Sequence, residues 1–121
     1  MTLADTSTWV NHLRRRDALL FQLLVHRSIV IHPFVLGELA AGTIPDRPVA
    51  LRYLRRLPQT PIARDSEVHH LVETRKLWGR GLGWVDLHLL ASALFGRFTM
   101  LTEDRRLREA AQELGIRPPV H

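Results

Sequence analysis

The sequence contains no cysteine, which excludes disulfides and thiolate metal ligands and suits a reducing compartment. Lysine is nearly absent: Lys76 is the single one among seventeen basic residues, the rest being arginine. No apolar run approaches the roughly 20 residues that a membrane-spanning helix needs. The N-terminus lacks a basic, hydrophobic secretory pattern, so no membrane is expected and the cytoplasm is the expected location. Repeats, linkers and low-complexity stretches are missing. None of the seven histidines forms a His-x-x-x-His pair, and adjacent His69 and His70 diverge around a helix, which argues against an imidazole metal site.

The chain has 121 residues, 45% of them hydrophobic and 24% charged, enough for one domain spanning 1–121 that buries a core without staples. Its net charge is +5, and arginine is the side chain that best matches phosphate with a planar fork. A basic, arginine-dominated domain points to a polyanion such as nucleic acid, although a GC-rich genome enriches arginine as well.

Short β-prone runs alternate with helical ones. Met1–Asp5 reads as a first strand, with Thr6 or Ser7 capping the helix that follows. Arg14–Asp17 interrupts the apolar pattern before a second helix at Ala18–Val25. Ile29–Ile31 reads as a buried strand, Pro33–Ala41 as a helix, Val49–Leu57 as an amphipathic helix with arginines on its wet side, and Thr60–Ala63 as a weak edge strand. A helix from Ser66 to Gly79, a strand at Phe98–Leu101, a helix at Thr102–Leu114 and an edge strand at Ile116–Val120 complete the pattern. Such alternation predicts an α/β fold, a three-layer α/β/α sandwich around a short, mainly parallel sheet.

Four acids stand isolated in the least polar segments. Asp86 is the one formal charge in Gly81–Gly96, Glu38 in Ser28–Pro45 and Asp5 in Met1–Leu13, while Asp104 follows the apolar run FTML closely. Each alone suits a helix cap, a turn or a solvated helix acid. Together they fall near strand ends, where open α/β sheets place their sites. Four converging carboxylates repel and raise one another's pKa values. A hard divalent cation relieves this, and oxygen-only ligation selects Mg²⁺ or Mn²⁺.

The segments LADTSTWV, VLGELAAG, GLGWVDLHLLASAL and LTEDRRLREAAQELG, in that order and over nearly the whole chain, resemble the PIN-domain family, and within it the VapC-type toxins of toxin–antitoxin pairs. The resemblance implies a Mg²⁺- or Mn²⁺-dependent endoribonuclease that uses water activated at the metal to attack an RNA phosphodiester. It implies that Asp5, Glu38, Asp86 and Asp104 form the catalytic metal site, with Thr6 and Thr102 as hydroxyl neighbours. Arg14–Arg16, Arg80 and Arg105 would hold flanking RNA backbone. The position one helical turn after Asp86, acidic in some relatives, is Leu90, which weakens the case for a second metal. Structured RNA of the tRNA or rRNA class, a cognate VapB-like antitoxin and a second copy of the chain are the implied partners. Ala18–Val25 or Val49–Leu57 would offer apolar surface to one of the latter two. The competing readings are a non-catalytic basic RNA-binding module, a purely structural partner protein, and a phosphatase with an aspartyl nucleophile; Asp5-Thr6-Ser7 lacks the second acid the last one needs.

Overall fold

The strands form because three short runs of β-branched and apolar residues can each be covered on two sides. In the computed structural model, which describes residues 1–119, β1 (Thr2–Ala4) lies between β2 (Ile29–Val30) and β3 (Thr99–Leu101), and both pairings are parallel. Leu3 sits opposite Val30 on one side and Met100 on the other. All three residues of β1 are buried. Successive side chains point to opposite faces, so apolar cover lies above and below the sheet, which makes the three layers. The Thr2 and Thr99 hydroxyls, 2.6 Å apart, add a polar rung between the paired strands.

Seven helices accompany the sheet among the described residues: α1 (Thr6–Arg15), α2 (Ala18–Val25), α3 (Pro33–Ala41), α4 (Arg47–Leu54), α5 (Asp65–Arg75), α6 (Trp84–Gly96) and α7 (Arg105–Glu113). The central helix is α6. Every residue from Leu87 to Ala93 is buried, as expected of a helix that is apolar on all sides. Leu90 is fully enclosed, so the residue one turn after Asp86 belongs to the core. None of the described helices is long and apolar enough to cross a membrane.

Several expectations need correction. Thr60–Ala63 forms no strand; pairing stops at one bridge between Ile31 and Gln59, because Pro61 has no amide to donate. Residues 116–119 form no strand either, although the Met100 amide donates to the Arg117 carbonyl at 3.1 Å; Val120, the end of that expected strand, lies outside the described residues. The cap of α1 is Asp5, not Thr6 or Ser7. Helix α5 ends at Arg75, with Lys76 in the left-handed conformation, so the helix does not reach Gly79. Helix α4 begins earlier and ends earlier than Val49–Leu57.

Replacing Leu90 with alanine should destabilise the protein by about 2–5 kcal/mol, the usual cost of emptying an enclosed leucine site. A urea melt reads this as a lower midpoint with an unchanged slope.

Candidate functional site

The parallel pairing of β1 and β3 brings their carboxyl ends to one rim, and the chain turns into a helix at each. At the end of β1, Asp5 caps α1: its Oδ1 accepts the Thr8 amide at 3.1 Å and the Thr8 hydroxyl at 2.6 Å. Its Oδ2 accepts the Thr102 hydroxyl at 2.5 Å. The carboxylate is 5% exposed, and three donors compensate its burial. At the end of β3, Thr102 also accepts the Asp104 amide at 3.0 Å, and Asp104 caps α7 by accepting the Leu107 amide at 3.1 Å.

The other two acids arrive on helices. Glu38, on α3, accepts the Thr6 hydroxyl at 2.5 Å through Oε1. Asp86, in the first turn of α6, reaches back to accept the Gly83 amide at 3.1 Å through Oδ2. Asp5, Glu38, Asp86 and Asp104, with Thr6, Ser7, Gly83, Val85 and Leu89, line a single cleft of about 310 Å³. The capping role and the shared cleft are therefore compatible: three of the acids do both.

Their proximity has an electrostatic signature. The Asp86 carboxyl is raised above its ordinary 3.8, first by burial and then by the Asp104, Asp5 and Glu38 carboxylates, against the opposing pull of the Gly83 amide. Glu38 Oε2, Asp86 Oδ1 and Asp104 Oδ2 accept no hydrogen bond from the described residues. As placed, no three acids or imidazoles among the described residues are close enough together to enclose an ion. The donor set itself, all carboxylate and hydroxyl oxygen with mutual repulsion to relieve, fits a hard divalent cation and no soft one.

Two arginines expected at the substrate have other partners. Arg80 makes a forked pair with Glu113, at 2.5 and 3.1 Å, and Arg105 pairs along its own helix with Glu109 at 3.0 Å. Neither lines the cleft. The first pair straps the loop before α6 to α7. Arg106 covers the same loop, since a Cβ on Gly81 (φ +76°) would meet its guanidinium at 2.6 Å. Thr8 is a site residue that sequence reasoning missed, although the Asp-x-x-Thr spacing of a capped helix was there to be read. Glu113 was missed because its partner is 33 residues away. His32 and His88 are fully buried away from the cleft lining, and burial, with a contribution from His88, pushes His32 down to about 4.

A three-layer α/β domain whose strand ends gather carboxylates and hydroxyls into one cleft belongs to the class of acidic-site α/β domains suited to divalent cations. Comparison with known proteins narrows this. The model of the PIN domain matches residues 2–113. The chain is also 48% identical over 117 residues to "Ribonuclease VapC32" of Mycobacterium tuberculosis, in both the CDC 1551 and the H37Rv strains, an alignment covering 96% of this chain and 94% of the relative. The chain belongs to the PIN-domain family and is of its VapC type.

Thr102→Val should destabilise the protein by about 1–3 kcal/mol, since it strips the buried Asp5 of one donor at nearly constant volume; Thr102→Ser should restore most of the loss in the same denaturation assay. Asp86→Asn should act in the opposite direction in metal-free buffer. Because folding raises this carboxyl above 3.8, the ionised form opposes folding, and the penalty is full above the folded value and absent below the unfolded one. The variant's higher thermal midpoint at pH 7 should therefore shrink toward zero as pH falls below the ordinary carboxylate range.

Proposed function

We propose that this chain is a divalent-metal-dependent endoribonuclease, the toxin of a toxin–antitoxin pair, acting as one domain over residues 1–121. The observation that carries the reading is the convergence of Asp5, Glu38, Asp86 and Asp104 on one cleft in a strongly basic domain. Membership of the PIN-domain family and the likeness to a VapC ribonuclease support it.

In this reading Asp5, Glu38 and Asp104, with Asp86 beside them, would hold Mg²⁺ or Mn²⁺, which would supply Lewis acidity toward the phosphodiester and lower the pKa of the attacking water. Asp5 is the rigid ligand, since Thr8 and Thr102 fix both of its oxygens. Asp104 is held by the amide of Leu107 and presents its Oδ2. Thr6 orients Glu38 by donating to Oε1. Asp86 receives the proton that the attacking water loses, at Oδ1, the oxygen that Gly83 does not occupy. The substrate is structured RNA of the tRNA or rRNA class. A VapB-like antitoxin silences the enzyme, and the working form is a cytoplasmic homodimer.

A second reading, a non-catalytic basic RNA-binding module, is favoured by the arginine content alone and leaves the convergent acids without a role.

The test is incubation of partner-free protein with total bacterial RNA, with and without Mg²⁺ or Mn²⁺, beside Asp5→Asn and Asp86→Asn shown to be folded. Discrete cleavage that requires metal and falls by about a hundredfold or more in both variants is the expected result. RNA binding without cleavage, unchanged by the variants, would establish the second reading.

A further inference from the structure

Residues 47–64 carry five arginines and no acid, the acid-free stretch richest in arginine in the chain. Two of the five have protein partners: Arg47 donates to the Ala40 carbonyl at 2.6 and 3.2 Å, and Arg64 pairs with Glu67 at 3.4 Å. The other three differ. Arg52, Arg55 and Arg56 are exposed, and no carboxylate lies within ion-pair distance of them among the described residues. Leu51 and Leu54 turn α4 toward the core, which leaves these guanidiniums and Tyr53, 50% exposed, on the outer side. The Arg47 bond to Ala40 fixes where this helix starts: at the end of α3, two residues beyond Glu38. Helix α4 thus packs on α3, the helix that carries Glu38 of the acidic cleft.

We infer that α4 and the Arg55–Arg56 turn after it form a docking face for RNA backbone flanking the cleft, with Arg52, Arg55 and Arg56 on phosphates and Tyr53 against a base. The assignment rests on the ribonuclease reading for the identity of the polyanion. Chemistry favours RNA over a protein partner on this face. Protein interfaces have apolar cores from which charge is depleted. Here the exposed apolar groups are Val49 and Tyr53 alone on α4, and unpaired arginines surround them. Unpaired guanidiniums beside one aromatic ring are the combination that binds single-stranded nucleic acid through phosphate pairing and stacking. The arrangement also separates tasks: the acids, which repel phosphate, need an adjacent cationic surface to hold a substrate in place.

The experiment measures binding of a fluorescein-labelled RNA hairpin by anisotropy over a range of KCl concentrations, with Asp86→Asn protein so that the probe stays intact. The triple substitution Arg52→Gln, Arg55→Gln, Arg56→Gln is compared with the same charge removed elsewhere, Arg75→Gln, Arg97→Gln, Arg117→Gln. Loss of three phosphate contacts should reduce the slope of log K against log[salt] by about 2 and weaken binding roughly tenfold or more at low salt. The control triple should leave the slope nearly unchanged, and Tyr53→Leu should weaken binding without altering it. Equal effects of the two triples would overturn the proposal, because net charge alone would then account for binding. Unchanged RNA binding with lost capture of an acidic protein partner would also overturn it and transfer the face to that partner. Binding is read without cleavage, so a failed nuclease assay and a failed docking face give different results.

Discussion

The site depends on the compensation of one buried charge. Asp5 sits where the central strand stops, and its two oxygens are held by a backbone amide and two threonine hydroxyls from both sides of the rim. Those bonds tie the start of α1 to the loop after β3, so the same contacts that make a buried carboxylate tolerable also set the distance between the two strand-end helices. Thr102 extends the chain by one more link, accepting the amide of Asp104. The order of the strands makes this possible: with β1 between β2 and β3, its carboxyl end is the one point from which both neighbouring crossovers can be reached.

Gathering four carboxylates is unfavourable, and the fold offsets it locally. Asp5 and Asp104 are helix caps, and Asp86 lies in a first helical turn. All three therefore face unsatisfied amides and the positive end of a helix dipole. At Asp86 and Asp104, a side chain pinned through one oxygen leaves the other directed away from the cap. The residual repulsion surfaces at Asp86, which is half-buried among the others. A cation would remove that residual and convert a stability cost into binding energy.

Much of this was legible in the sequence, because the signal was an anomaly of composition: single acids in otherwise apolar segments. The alternation of elements and the parallel sheet followed from β-branched runs and helical spacing. Strand-end placement then made convergence of the acids a matter of topology. The failures have physical causes. The start of α1 was misplaced at Thr6 or Ser7 because three successive residues can all cap, and Asp5 is the one whose carboxylate meets the Thr8 amide. Edge strands at Thr60–Ala63 and Ile116–Val120 were overestimated because local β propensity does not reveal whether a neighbour is present to pair. The partner of Arg80 was unreadable for a similar reason, since Glu113 is distant in sequence, whereas the Arg105–Glu109 pair has ordinary helical i,i+4 spacing and was there to be read.

Glu38 is the one acid outside the dipole logic. It lies in the second half of α3, where the helix end is negative, it is exposed, and its hold is a single hydroxyl from Thr6. The other three each accept a backbone amide at the head of their own helix, where the helix dipole also favours them. Glu38 can rotate about its side-chain bonds at the cost of one hydrogen bond of about 1 kcal/mol. That rotation needs no shift of the sheet. In the proposed metal-bound state, a donor set suited to a cation and a resting geometry that does not enclose one would be reconciled by side-chain rotation such as this.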